Sequence, residues 1–137
     1  MATPVIVDTN VLFAALVHGQ SRNREILLTS STETFYSPRF IFVELFKHKE
    51  RIQTATELAE FELLECMNSV LARITFLDEG TIPMGTWLEA RRLCRDVDPK
   101  DTPFIALALH LNGFLWTNDT ELKTGLEIRG FTRFFAG

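Results

Sequence analysis

Short β-branched or aromatic runs alternate along the chain with longer stretches of helical periodicity, and this alternation constrains the fold more than any other feature. Pro4-Val-Ile-Val-Asp8 reads as a buried strand, with Val11–Val17 continuing as a helix. Ser21 is placed to cap a second short helix through Leu28. Glu33–Ser37 reads as a strand, with Pro38 at the start of the helix that carries Glu44. Over Ala55–Ile74 the apolar residues Leu58, Phe61, Leu64, Met67, Leu71 and Ile74 fall on one helical face. Thr75–Leu77, Phe114–Thr117 and Thr132–Phe135 complete the strands, and Thr86–Cys94, Thr102–Leu111 and Glu121–Arg129 read as helices. Asn112-Gly113 stops the helix before it. Strands that alternate with helices pair in parallel and are covered on both faces. The expected fold is α/β: a three-layer α/β/α sandwich with a central, mainly parallel sheet of about five strands.

With 137 residues, 46% of them apolar and 23% charged, the chain is long enough to bury a core, and residues 1–137 read as one domain. There is no internal repeat or low-complexity tract. Cys66 and Cys94 are too few for a disulfide framework or a four-thiolate zinc site. The longest stretch without Asp, Glu, Lys or Arg, Thr102–Asn118, is broken by Pro103 and Asn112-Gly113, so no membrane span is expected. Met1-Ala-Thr-Pro4 lacks the parts of a secretion signal. A cytoplasmic protein is the expectation. The net charge of −4 argues at first against a nucleic-acid partner. Setting aside four acids that could serve a cation leaves 14 acidic residues against 14 basic ones, so bulk charge decides nothing.

Those four acids are Asp8, Glu44, Asp101 and Asp119. Ligands of such a sheet gather beyond the carboxyl ends of its strands. Asp8 closes Val5-Ile-Val7, and Asp119 follows Phe114–Asn118. Glu44 is the single charge within Phe40–Phe46, and Asp101 opens the apolar helix Thr102–Leu109. A carboxylate buried in an apolar segment costs several kcal/mol unless something positive meets it, and none of these segments contains a Lys or Arg. A divalent cation would relieve converging acids, and all-oxygen ligands favour Mg²⁺ or Mn²⁺ over zinc.

Plainer readings stand beside this one. Asp8 can be a helix cap, Asp119 a turn or cap residue, and Asp101 a cap in competition with Asp98. Were Asp98 the cap, Pro103 would be the fifth helical residue and would clash with the carbonyl of residue 99. The helix is therefore expected near Asp101–Thr102, with Asp98 on the approach loop. Glu44, in mid-helix, has no such alternative. His18, His48 and His110 lack metal-ligand spacing and read as surface or boundary residues. Lys47-His-Lys49 with Arg51 either leads phosphates toward the acids or is an ordinary exposed helix end. A phosphotransferase with an aspartyl-phosphate on Asp8 fits less well, because Asn10 stands where a second acid is expected.

Val5-Ile-Val-Asp8-Thr-Asn10-Val-Leu, Glu44 in a helix, Asp101-Thr-Pro-Phe-Ile-Ala-Leu-Ala-Leu and Leu115-Trp-Thr117-Asn-Asp119 together resemble the PIN-domain nucleases, in particular the short VapC-like and PilT N-terminal-like members. The resemblance spans essentially the whole chain. It implies that Asp8, Glu44, Asp101 and Asp119 are the metal-binding and catalytic acids, holding one or two Mg²⁺ or Mn²⁺ ions. Asn10 and Thr117 would orient carboxylate or water, and Asp98 would hold an outer water. The implied activity is endonucleolytic hydrolysis of single-stranded RNA without a covalent intermediate. A homodimer and a toxin role opposite an antitoxin protein follow from the same resemblance. The rival expectation is a catalytically silent domain that binds RNA or protein.

Overall fold

The computed structural model describes residues 2–137. Four parallel strands form the sheet: β1 (Thr3–Val7), β2 (Glu33–Pro38), β3 (Ile74–Leu77) and β4 (Phe114–Trp116), in the order β3-β2-β1-β4. Val5, Ile6 and Val7 of the inner strand β1 are fully buried. Successive residues of a strand point to opposite faces, so helices cover both sides of the sheet and the α/β sandwich is as expected. The expected fifth strand at Thr132–Phe135 is reduced to one parallel bridge, Leu115 with Phe134. It is held by Leu115 N–H to Arg133 O and Phe135 N–H to Leu115 O, both 2.9 Å.

The helices are α1 (Thr9–Val17), α2 (Arg22–Thr29), α3 (Phe40–Lys47), α4 (Lys49–Ala55), α5 (Glu60–Leu71), α6 (Met84–Leu93), α7 (Thr102–Leu111) and α8 (Thr120–Ile128). Ser21 caps α2 by accepting from Arg24 N–H at 3.2 Å. The largely apolar α7 packs across β1, β2 and β4, with α6 outside it, and its Phe104–Ala108 are buried. Asn112 ends α7 in the left-handed region (φ 51°). Gly113 follows because a Cβ there would stand 2.8 Å from the Pro4 carbonyl oxygen. Asn-Gly is thus needed for the turn and for the close approach of β4 to β1.

Two local expectations are corrected. Pro38 is the last residue of β2 and not a helix start; α3 begins at Phe40. The carboxylate of Glu79 accepts from the N–H groups of Arg39 (3.1 Å) and Phe40 (2.8 Å), so a distant residue supplies the cap. The continuous helix over Ala55–Ile74 is instead the end of α4, a break at Thr56–Ala59, α5, and the first residue of β3. The break is drawn onto α1: Thr56 Oγ1 donates to Leu16 O (2.8 Å) and Glu57 N–H to Val17 O (2.7 Å). Glu62 then accepts the Ala59 N–H at 3.2 Å and starts α5. The buried face of α5 consists of Leu63 and Val70, while Phe61 and Leu64 are 71% and 60% exposed. Among the described residues, no helix is long and apolar enough to cross a membrane.

Candidate active site

The chain leaves β1 toward β2 and β3 on one side, while β4 pairs on the other side of β1. Open parallel sheets bind ligands at such a reversal, beyond the carboxyl ends of the strands. Asp8 is the first residue past β1, its N–H still bonded to Trp116 O at 3.0 Å. Thr117 is the first past β4, and Asp119 heads α8. Asp101 heads α7, and Glu44 reaches in from α3. Asp8, Glu44, Asp101 and Asp119 line one open pocket of about 220 Å³. Among the described residues none of the four makes an ion pair with Lys or Arg.

Asp8 is buried and held on both oxygens. Oδ1 accepts from Thr9 N–H at 2.8 Å, and Oδ2 accepts from Thr117 Oγ1 at 2.7 Å and Asn10 Nδ2 at 3.2 Å. Asn10 Nδ2 also donates to Thr117 Oγ1 (3.1 Å), while its Oδ1 accepts the Asn118 N–H (3.1 Å). Thr117 Oγ1 further accepts the N–H of Asp119 at 3.1 Å. Asn10 and Thr117 therefore lock the first acid to the last. Glu44 accepts from Thr9 Oγ1 at 2.8 Å.

The plainer readings and the pocket coexist. Asp8 caps α1, and Asp119 caps α8 by accepting from Leu122 N–H at 3.1 Å, while both line the pocket. Asp101 occupies the cap position of α7 but makes no capping bond, leaving its carboxylate to the pocket. Asp98 instead starts a separate short turn, Pro99–Asp101, accepting from Lys100 N–H at 3.0 Å. It lies outside the acid pocket, in a neighbouring groove that shares Asp101 and Asp119 with it.

Burial, opposed by the bonds from Thr117 and Thr9 and reinforced by the charges of Glu44 and Asp119, raises the Asp8 carboxyl to about 6. Burial, together with the charges of Asp8, Asp98, Asp119 and Glu44, raises Asp101 to about 7. Crowded carboxylates titrate high unless a cation shares the site. Among the described residues, no three His, Cys, Asp or Glu side chains are close enough as they stand to chelate one ion. The donor set itself is four carboxylates without sulfur, the chemistry that suits a hard divalent cation.

Glu44 is half-buried for a different reason from that expected. Phe40–Phe46 is not sheathed in apolar surroundings: Phe42, Val43 and Phe46 are 43%, 59% and 71% exposed, and only Ile41 and Leu45 are buried. Glu44 is sheltered by the pocket itself. Two lining residues, Thr9 and Phe13, were not expected at the site, while His48 and Arg51 come from the basic run for which two readings were left open. Glu44, His48 and Arg51 follow one another at helical spacings of four and three, a stripe visible in the sequence.

Fold and pocket define an α/β sandwich whose parallel sheet presents a cluster of carboxylates at its point of topological reversal. Residues 6–134 match the PIN domain, and the chain belongs to that family. No curated protein matches it. Its fold is similar to that of a chain in the crystal structure of VapBC2 from Rickettsia felis bound to a DNA fragment from their promoter. There the TM-score is 0.62 at 14% identity, over 88% of this chain and 92% of that one.

Proposed function

We propose that this protein is a metal-dependent endoribonuclease that hydrolyses phosphodiester bonds of single-stranded RNA. One observation carries the reading: four acids from four separate stretches of chain line a single pocket and, among the described residues, pair with no basic side chain. Asp8, Glu44, Asp101 and Asp119 hold one or two Mg²⁺ or Mn²⁺ ions. The bound cation supplies Lewis-acid activation of water and neutralises charge developing on the phosphate oxygens. Thr117 and Asn10 keep the Asp8 carboxylate turned toward the pocket, and Thr9 does the same for Glu44. Asp98, on the adjoining groove, holds an outer water. PIN domains are generally nucleases, and VapBC2 shares the fold, which supports the toxin half of a type II toxin–antitoxin pair with an antitoxin protein as partner. A homodimer joined through the exposed apolar side of α5 completes the proposal.

The test is cleavage of a mixed single-stranded RNA pool by wild type, Asp8→Asn and Asp101→Asn, in Mn²⁺ and in EDTA. Cutting by wild type in Mn²⁺ alone, reduced at least 100-fold in both variants, is expected. Equal cutting by all three proteins, or cutting that persists in EDTA, rejects the mechanism.

A further inference from the structure

The acid pocket opens between surfaces of opposite character. Beyond Asp101 and Asp119 the adjoining groove is lined by Asp96, Asp98 and Glu121, and among the described residues no basic side chain lines it. The acid pocket itself is also lined by Phe13 of α1 and Arg51 of α4, neither of which lines that groove. A polyanionic strand is repelled along the groove and attracted toward Arg51.

The helical path carries across the junction of α3 and α4, since His48 N–H bonds to Glu44 O and Ile52 N–H to His48 O, both at 3.0 Å. Arg51 is thereby brought to the side of the helices that carries Glu44. It lines a pocket with four carboxylates and, among the described residues, makes no ion pair with any of them. Its guanidinium lies over the ring of Phe13, 5.2 Å from the centroid. Stacking on an aromatic face holds an arginine at low entropic cost and leaves its in-plane donors open to an anion. Lys49, the nearest other cation on α4, is occupied elsewhere, 3.9 Å above the Phe46 ring.

We propose that Arg51, held over Phe13, is a substrate-positioning residue that grips a phosphate of the RNA strand next to the one cleaved. The proposal rests on the ribonuclease reading above. A planar guanidinium makes paired hydrogen bonds to phosphate oxygens, which fixes the strand's register as well as its affinity. The strand then lies over α1 and α4, and the acidic groove beside α8 stays free of phosphates.

Two measurements test this. The first is binding of a short fluorescently labelled single-stranded RNA, in Mn²⁺ and at several KCl concentrations, in the Asp101→Asn background. Adding Arg51→Ala is expected to weaken binding about tenfold and to lower the slope of log Kd against log salt by about 0.7, one phosphate's worth for a single strand. Arg51→Lys restores the slope but only part of the affinity. Phe13→Leu weakens binding with the slope intact, because the charge remains but is no longer held. The second measurement is steady-state cleavage by otherwise wild-type protein, where Arg51→Ala raises KM while kcat stays within about threefold. If wild type cuts RNA and Arg51→Ala leaves KM and salt slope unchanged, this proposal falls alone. If wild type neither cuts nor binds single-stranded RNA, the ribonuclease reading falls and takes this one with it.

Discussion

Asp8 and Asp101 hold their protons to about 6 and about 7, against 3.8 for an unperturbed aspartate. In the metal-free protein the folded state therefore binds protons that the unfolded chain has already released. The stability these groups contribute is full below pH 4 and is lost as pH rises through 6 to 7. Each tenfold gain in proton affinity corresponds to about 1.4 kcal/mol, so burying these carboxylates among like charges costs on the order of a few kcal/mol at pH 8. In EDTA, Asp101→Asn is expected to melt about 5 °C or more above wild type at pH 8, with the gap closing toward pH 4.5. Thermal melts across that range check it, and a gap independent of pH would show that neither burial nor its neighbours strain the Asp101 carboxylate. Mn²⁺ should remove much of the same strain from wild type by binding only the folded state. The candidate acids were legible because each interrupts or ends an apolar run. Arg51 was half legible, as part of a basic run that either led phosphates to the acids or was an ordinary exposed helix end; Phe13 was not, because its place beside Arg51 depends on how α4 packs near α1.

At the scale of elements, α7 was legible to the residue. Pro103 bars an α-helical start as early as Pro99, and Asn112-Gly113 provides the left-handed stop. Gly113 serves the fold a second time, through its approach to Pro4 O and to Ile6 Cδ1, each 2.8 Å from where a Cβ would stand. Gly113→Ala is expected to destabilise the protein by about 1–3 kcal/mol, since a backbone oxygen cannot step aside as a side chain can. Urea denaturation measures this, and a midpoint equal to wild type would contradict it. The break between α4 and α5 was not legible. Thr56–Ala59 contains neither Gly nor Pro, and its hydrogen bonds go to α1, some 40 residues back in the chain. Helical periodicity cannot register a partner at that distance. The last strand shrank to a bridge for a related reason: composition signals extended backbone but not how far pairing runs.

For the whole molecule, the apolar side of α5 left in water is the feature to explain. Phe61 and Leu64, 71% and 60% exposed, sit on the helix proposed to join two copies. Phe61→Asp with Leu64→Asp should convert a dimer into a monomer in sedimentation velocity at micromolar concentration, without lowering the melting temperature by more than a few degrees. A wild type that sediments as a monomer throughout would remove the dimer from the proposal. The bond from Thr117 Oγ1 to Asp8 Oδ2 joins residues 109 positions apart. A chain emerging from the ribosome exposes its first acid 109 residues before the partner that orients it. The complete pocket is thus absent from every nascent fragment that stops before Thr117, whatever the earlier elements have already folded into.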